Sequence, residues 1–241
     1  MAKGKKTKNV GRSVGASAIH EYISASIDPF HPGSKNVKLH DGNNANTLPL
    51  QLRTTRTINQ NSAGMMAVSV RPLIHETVKA VNNADPAYLP TTGITSASAG
   101  FLLFDMADYA TVTNHIERYR VVSWGVRMYT VGPSLDVSGE VKIHMTSETL
   151  LQVSTNLEAY QEETHVVPIQ PGMDVTIVPP NNAEEQERFI PFDLTPTQLE
   201  PDNALEYSHR VVNFLISGLP TGTTIKYEII MNLECLVSLS S

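Results

Sequence analysis

The chain has 241 residues, 41% of them hydrophobic, with 18 Lys and Arg against 24 Asp and Glu and a single cysteine. That length suits one large β domain or two small ones, and one cysteine excludes an intramolecular disulfide framework and any cysteine-based zinc cluster. No apolar run approaches the roughly 18 to 20 residues that span a bilayer, no signal-peptide core opens the sequence, and Ala2 stands where myristoylation needs glycine, so the expectation is a protein made and used in a cytosol.

Charge is unevenly placed. Residues 1–18 hold Lys3, Lys5, Lys6, Lys8 and Arg12 with no acid, a net of +5, so the remainder carries −11 to reach the total of −6. This arm has almost no large apolar side chains to offset its ordering entropy and is expected to be disordered when alone. It reads as a solubilising terminus or as a nucleic-acid-binding arm. The serine of "GRSVG", Ser13, matches a nucleophile elbow in letters only, because the strand before it and the helix after it are not predicted.

Residues 18–27, "AIHEYISASI", predict a short helix with Ile19, Tyr22, Ile23 and Ile27 on one face, stopped by Asp28-Pro29. An extended, turn-rich link follows. "LQLRTTRTI" and "MMAVSVRPL" around "NQNSAG" predict an antiparallel hairpin. Residues 74–100 read as irregular. After the apolar "GFLLF", Asp105 and Asp108 stand three residues apart, as a helix cap or solvated turn, or as two ligands of a calcium ion completed by carbonyls or a neighbouring chain. "ATVTNHIERY" predicts a short helix.

"YRVVSWGVRMYTVG" alternates Val122, Trp124, Val126 and Met128 with Ser123, Gly125, Arg127 and Tyr129, the period of a strand with one buried face. "GEVKIHM" continues the strands, "SETLLQVSTNLEAYQEE" reads as helical, and "MDVTIVPP", "RFIPFD" and "RVVNFLIS" as strands again. "NNAEEQE" reads as a solvated acidic loop. The last strand runs from Ile225 to Cys235 in clean alternation, which makes Cys235 a buried, inert thiol. Arg53, Arg56, Arg71, Arg120 and Arg127 recur in or beside strands, as charges on an exposed sheet face or as contacts to RNA or a neighbouring subunit. The eight histidines include no His-x-His pair, so a cupin-type metal site has no support. About eight strands in one core, with helices confined to connections, predict an all-β, eight-stranded antiparallel jelly-roll sandwich. Its layout is an arm at 1–17, a short helix and link at 18–48, and the sandwich at 49–241.

The order of these pieces resembles the shell domain of small icosahedral virus capsids, the group of nodavirus-, sobemovirus- and tombusvirus-like coat proteins. The resemblance is carried by the basic N-terminus, the helix running into "IDPF", "RTTRTINQNSAGMMAVSVRP", "IERYRVVSWGVRMYTVGPSLDVSGEVKI" and "NFLISGLPTGTTIKYEIIMNLECL". It implies a non-enzymatic coat protein that self-assembles into a shell of 60 or 180 copies, with T=3 favoured, in a virion assembled in host cytoplasm. The arm, through Lys3, Lys5, Lys6, Lys8 and Arg12, would bind a single-stranded genome, RNA by resemblance. Asp105 and Asp108 resemble in type and spacing the interface aspartates of calcium-bearing sobemovirus-like shells. Only "VSLSS" follows the last strand, so neither a protruding domain nor a C-terminal cleavage peptide is expected. The competing reading is a jelly-roll enzyme or sugar-binding module with an incidental basic tail.

Overall fold

The computed structural model describes residues 14–39, 47–59, 64–75, 77–82, 101–112, 114–131, 138–146, 165–180, 186, 188–191, 211–220 and 223–237. Two antiparallel sheets face each other. The first contains β1 (Thr47–Asn59), β5 (Ile116–Thr130), β8 (Asp174–Ile177), β9 (Ile190–Pro191) and β11 (Thr224–Val237), in the order β1-β11-β5-β8 with β9 also on β5. The second contains β2 (Gly64–Val70), β3 (Val78–Asn82), β4 (Phe101–Phe104), β6 (Glu140–Thr146), β7 (His165–Pro168) and β10 (Val211–Leu219), in the order β4-β3-β2-β10-β6-β7. The antiparallel hairpin expected of β1 and β2 does not form: β1 pairs with β11 and β2 with β10 and β3, so the turn between them carries the chain from one sheet to the other, as a jelly roll requires. Pro49 is tolerated in β1 because that strand is a sheet edge, where a missing N–H breaks no ladder on its free side.

The eight strands expected from the sequence are present, and β3, β4 and β7 are additional. The stretch read as irregular from residue 74 therefore supplies β3, which pairs with β2 and carries "GFLLF" as β4 at the sheet edge. Short strands of four and five residues at an edge carry too little alternation to stand out from a loop. The long "SETLLQVSTNLEAYQEE" segment lies outside the described residues.

The core fills the space between the sheets. Trp124, Val126 and Met128 of β5, Tyr227, Ile229, Met231 and Leu233 of β11, and Val212, Phe214 and Ile216 of β10 are all buried in one cluster. Each is an alternate residue of its strand after any bulge is allowed for, the period of two that points one face inward.

The expected register of β5 is corrected at one point. Asn232 pairs with Ser123 but Leu233 pairs with Val121, so Val122 is the extra residue of a β-bulge. Upstream of the bulge the core-facing residues are Tyr119 and Val121; downstream they are Trp124, Val126 and Met128. Val122, expected beside Trp124, instead packs on the opposite face with Ala25 and Val37. The strand is also buried on both faces, where one was expected, because the N-terminal segment lies across its outer side.

That segment is a strap. Helix α1 (Val14–Ile27) begins four residues earlier than the sequence suggested, and a short 3-10 helix (Pro32–Asn36) follows it. Asp28 stops α1 as expected: its carboxylate accepts from Phe30 N at 3.0 Å, and its carbonyl accepts from the Ser34 hydroxyl at 3.0 Å. The strap then crosses β5 at Gly125. A Cβ at this position would sit 2.9 Å from both Phe30 Cε2 and Pro29 Cγ and 3.1 Å from the Ile177 carbonyl, so the residue is glycine because two proline and phenylalanine rings rest where a side chain would stand. Gly125→Val should cost about 1–3 kcal/mol by overpacking. A lowered urea midpoint, with increased amide exchange confined to residues 28–39, is the expected readout; an unchanged midpoint would remove the strap from the packing described.

Candidate functional site

The outer face of the β1-β11-β5-β8 sheet is where the strap and a group of charged side chains meet. Its centre is polar and buried. Arg120 on β5 and Glu234 on β11 form an ion pair with Nη2 to Oε2 at 2.8 Å and Nε to Oε2 at 3.1 Å, both side chains almost fully removed from solvent. Glu234 also accepts from the backbone N–H of Leu39 at 3.1 Å and from the Thr47 hydroxyl. The guanidinium lies 4.7 Å over the Phe189 ring. One carboxylate thus ties β5, β11, the end of the strap and the start of β1 together.

Below it, Asn232 donates through Nδ2 to the Pro29 carbonyl at 3.3 Å and to Ser123 Oγ at 2.9 Å, and accepts from Gln51 Nε2 at 2.7 Å. Gln186 is buried: it donates to the Val122 carbonyl at 2.8 Å, and its side-chain oxygen accepts from the Tyr22 hydroxyl of α1 at 2.8 Å. The acidic loop 181–187 therefore departs from the expected solvated face at this residue, whose side chain is held between the Val122 carbonyl and the Tyr22 hydroxyl.

The strand arginines separate into two classes. Arg53 pairs with Glu228, and Arg127 pairs with Asp174 (Nε to Oδ1, 2.8 Å), on the part of the face that the strap leaves open. Arg127 holds the Asp174 carboxyl below its usual range through that hydrogen bond. Arg120 and Arg71 are buried and Arg56 is half-buried with its guanidinium 5.0 Å over Phe104, so these three are not the surface charges the sequence suggested. For Arg120 the reason is the strap above it.

Asp105 lies 2.8 Å from His75 Nδ1, and His75 stacks on Tyr109 with centroids 4.9 Å apart. Asp108 takes φ of +67° and its carbonyl accepts from Thr111 and Val112, the opening turn of α2 (Tyr109–Val112). Among the described residues there is no group of three or more His, Cys, Asp or Glu side chains placed to hold a metal ion. Lys3, Lys5, Lys6, Lys8, Arg12 and Ser13 lie outside the described residues. The helix that follows them seats on the outer face of the first sheet through Tyr22 and Ala25. No described helix is long and apolar enough to cross a membrane.

Sequence reasoning missed the Arg120–Glu234–Thr47 group and the role of Gln186. A signal was present: Glu234 and Asn232 sit in the middle of the most apolar strand, where exposed charges would need a free sheet face.

No protein-family model and no curated protein matches the chain. Solved structures share its fold. A chain from a structure of infectious bursal disease virus, Gx strain, superposes with a TM-score of 0.57 at 8% identity, covering 90% of this chain and 87% of that one. Turnip yellow mosaic virus gives 0.47 at 8% identity over 82% and 98% of the two chains, and broad bean stain virus 0.40 at 13% over 83% and 95%; neither overlay is close enough to carry an argument. At these identities the likeness concerns architecture: the chain has the two-sheet β fold found in viral jelly-roll capsids.

Cys235 is buried, and desolvation pushes its thiol up to about 12. Tyr119 and Tyr227 are raised as well, chiefly by burial. Raised folded-state values mean that above the ordinary thiol value of 9.0 the unfolded chain has released a proton the folded chain still holds. Stability is then complete below pH 9 and should fall between pH 9 and 12, by about 1.4 kcal/mol per pH unit from the thiol alone. Chemical unfolding across that range tests the slope; iodoacetamide labelling of the native protein at pH 9, faster than global unfolding, would contradict it.

Proposed function

We propose that this chain is a capsid protein whose role is to build a closed shell around a single-stranded genome, not to catalyse a reaction. The observation that carries the reading is the jelly roll itself, which follows a chain of an icosahedral virus over nine-tenths of its length. Assembly supplies the driving force: neighbouring sandwiches bury their rims in symmetric contacts, each standard interface removing on the order of 1,600 Å² from water. The five cations of residues 1–12 would enter the interior and release counterions from phosphates, roughly 300 charges for 60 copies or 900 for 180.

Purified protein should form closed isometric particles by light scattering and negative-stain microscopy. Deleting residues 2–12 should leave the sandwich folded, lower the encapsidated nucleic acid and flatten its salt dependence. A stable monomer at every ionic strength, pH and nucleic-acid concentration sinks the shell reading, and an unchanged ratio of absorbance at nucleic-acid and protein wavelengths in the deletion particles sinks the role of the arm.

Calcium at a subunit contact remains a separate proposal. Asp105 and Asp108 would need oxygen ligands from a neighbouring chain, since their own chain provides His75 beside one of them. Particles should then swell on chelation and regain their sedimentation rate with calcium, and Asp105→Asn/Asp108→Asn particles should not respond. Identical sedimentation of the original particles with calcium and with chelator would return both residues to the turn before α2.

A further inference from the structure

Helix α1 carries an apolar ridge that its own sandwich does not cover. Ile19, Ile23 and Ile27 are 53%, 51% and 72% exposed. Their spacing of four places them in one row about 12 Å long on the helix surface. The helix cannot roll to bury them, because its other side is already seated: Ala25 is fully buried against Val122 and Val37, and the Tyr22 hydroxyl is held by Gln186. At the end of the helix, Asp28 N donates to the Ser24 carbonyl at 2.8 Å and fixes the last turn. The seat that anchors α1 is what turns the ridge outward.

Among the described residues none covers that ridge. Residues 1–13 contain Met1 and Val10 as their only large apolar side chains. A membrane surface is a poor match, since interfacial helices carry Lys and Arg along the polar face and α1 has neither. A second α1 fits better on shape and charge. Residues at i, i+4 and i+8 form a single ridge, and two identical ridges of this kind interdigitate at about −50°, the commonest geometry of helix pairs. Glu21 is the sole acid in the helix, with His20 beside it and no Lys or Arg, so two copies meet without a run of like charges. The ridge offers on the order of 300 Å², well below the roughly 800 Å² per partner of an independent interface. Such a contact forms only where other contacts already bring two chains together.

We propose that the ridge of Ile19, Ile23 and Ile27 docks against the same ridge of a second copy of this chain, across a local two-fold axis between neighbouring subunits. The proposal rests on the shell reading and adds to it a specific helix–helix seam. Helix axes packed in this way lie about 8–10 Å apart, and the Cα cylinders have a radius near 2.3 Å. Central residues of the two ridges therefore come within reach of a short thiol crosslinker.

The test is Ile23→Cys in the full-length chain, a half-exposed position where the substitution leaves the sandwich core intact. Cys235 does not compete, being buried with its thiol pushed up to about 12. Purified particles treated with a short bismaleimide should give most of the chain as covalent dimers on a denaturing gel, and Glu21→Cys, one helix face away, should give few. Replacing all three isoleucines by serine should leave the melting curve of the unassembled chain unchanged and raise the protein concentration needed for assembly about tenfold or more. Particles that form with the usual threshold and yield no Ile23→Cys dimers overturn the seam while leaving the shell reading intact. If no particles form, the seam fails together with the shell reading, whether or not Ile23→Cys crosslinks in solution. Flotation of the original chain with anionic phospholipid vesicles, lost in the serine variant and unaccompanied by crosslinking, would assign the ridge to a membrane instead and overturn the proposal.

Discussion

Burial of β5 and β11 on both faces is the constraint on which the rest of the structure depends. One face of this strand pair meets the second sheet through Trp124, Met128, Met231 and Leu233, as any sandwich requires. The other lies beneath the strap, and it is polar: Arg120, Ser123, Asn232 and Glu234 are all buried there. A polar group taken from water costs free energy unless it finds a partner, and each of these has one, either across the strand pair or in the strap. The strap is therefore specified by hydrogen bonds, where an apolar seam would have left its position free to slide. Breaking a buried pair such as Arg120–Glu234 from one side typically costs about 3–5 kcal/mol, because the remaining charge is left in a poor solvent. The apolar part of the strap contact is small, limited to Ala25, Val37 and Val122 with Tyr22 and Leu39 at the margin.

Much of this was legible in the sequence, and the failures share a cause. Alternation over the long strands β1, β5, β10 and β11 was sufficient to place them and to predict a single sandwich, since a period of two sustained over nine or more residues has few other solutions. Asp28-Pro29 correctly ended α1. What could not be read was long-range: a bulge is one extra residue, invisible until the partner strand shows which residue lacks a mate. Val122 changed faces for that reason, and Gln186 is buried through a partner, the Val122 carbonyl, that lies 64 positions away. The edge strands β4 and β7 and the short β3 beside β4 are too short for periodicity. Of the candidate sites, Asp105 and Asp108 were visible as a pair, whereas the association of Glu234 with Leu39 and Thr47 joins residues nearly 200 positions apart and has no local signature.

The strap also makes the two sides of the molecule unlike. On one side the second sheet ends in short edge strands; on the other, the first sheet carries a helix, a buried polar seat and two ion pairs, Arg127–Asp174 at the surface and Arg53–Glu228 with its carboxylate buried. The exposed Arg127–Asp174 pair is worth little to stability in water, whereas breaking Arg53–Glu228 from the arginine side would leave a buried carboxylate without its partner.

The outward ridge of α1 belongs to the same logic. Covering two ridges of on the order of 300 Å² each at about 25 cal/mol per Å² offers roughly 15 kcal/mol in gross terms. Association of two free chains costs an estimated 4–15 kcal/mol before side-chain ordering is counted, so the seam alone is close to break-even. Within a lattice of other contacts the rigid-body cost is already met, and the same seam becomes favourable. A contact of this size is suited to a closed shell, where each interface must be weak enough to correct misplacement while many together hold the particle. The seat made by Ala25, Tyr22 and Gln186 fixes the direction of the ridge within one chain, so under the proposed shell a local packing decision would set the geometry available to a neighbour.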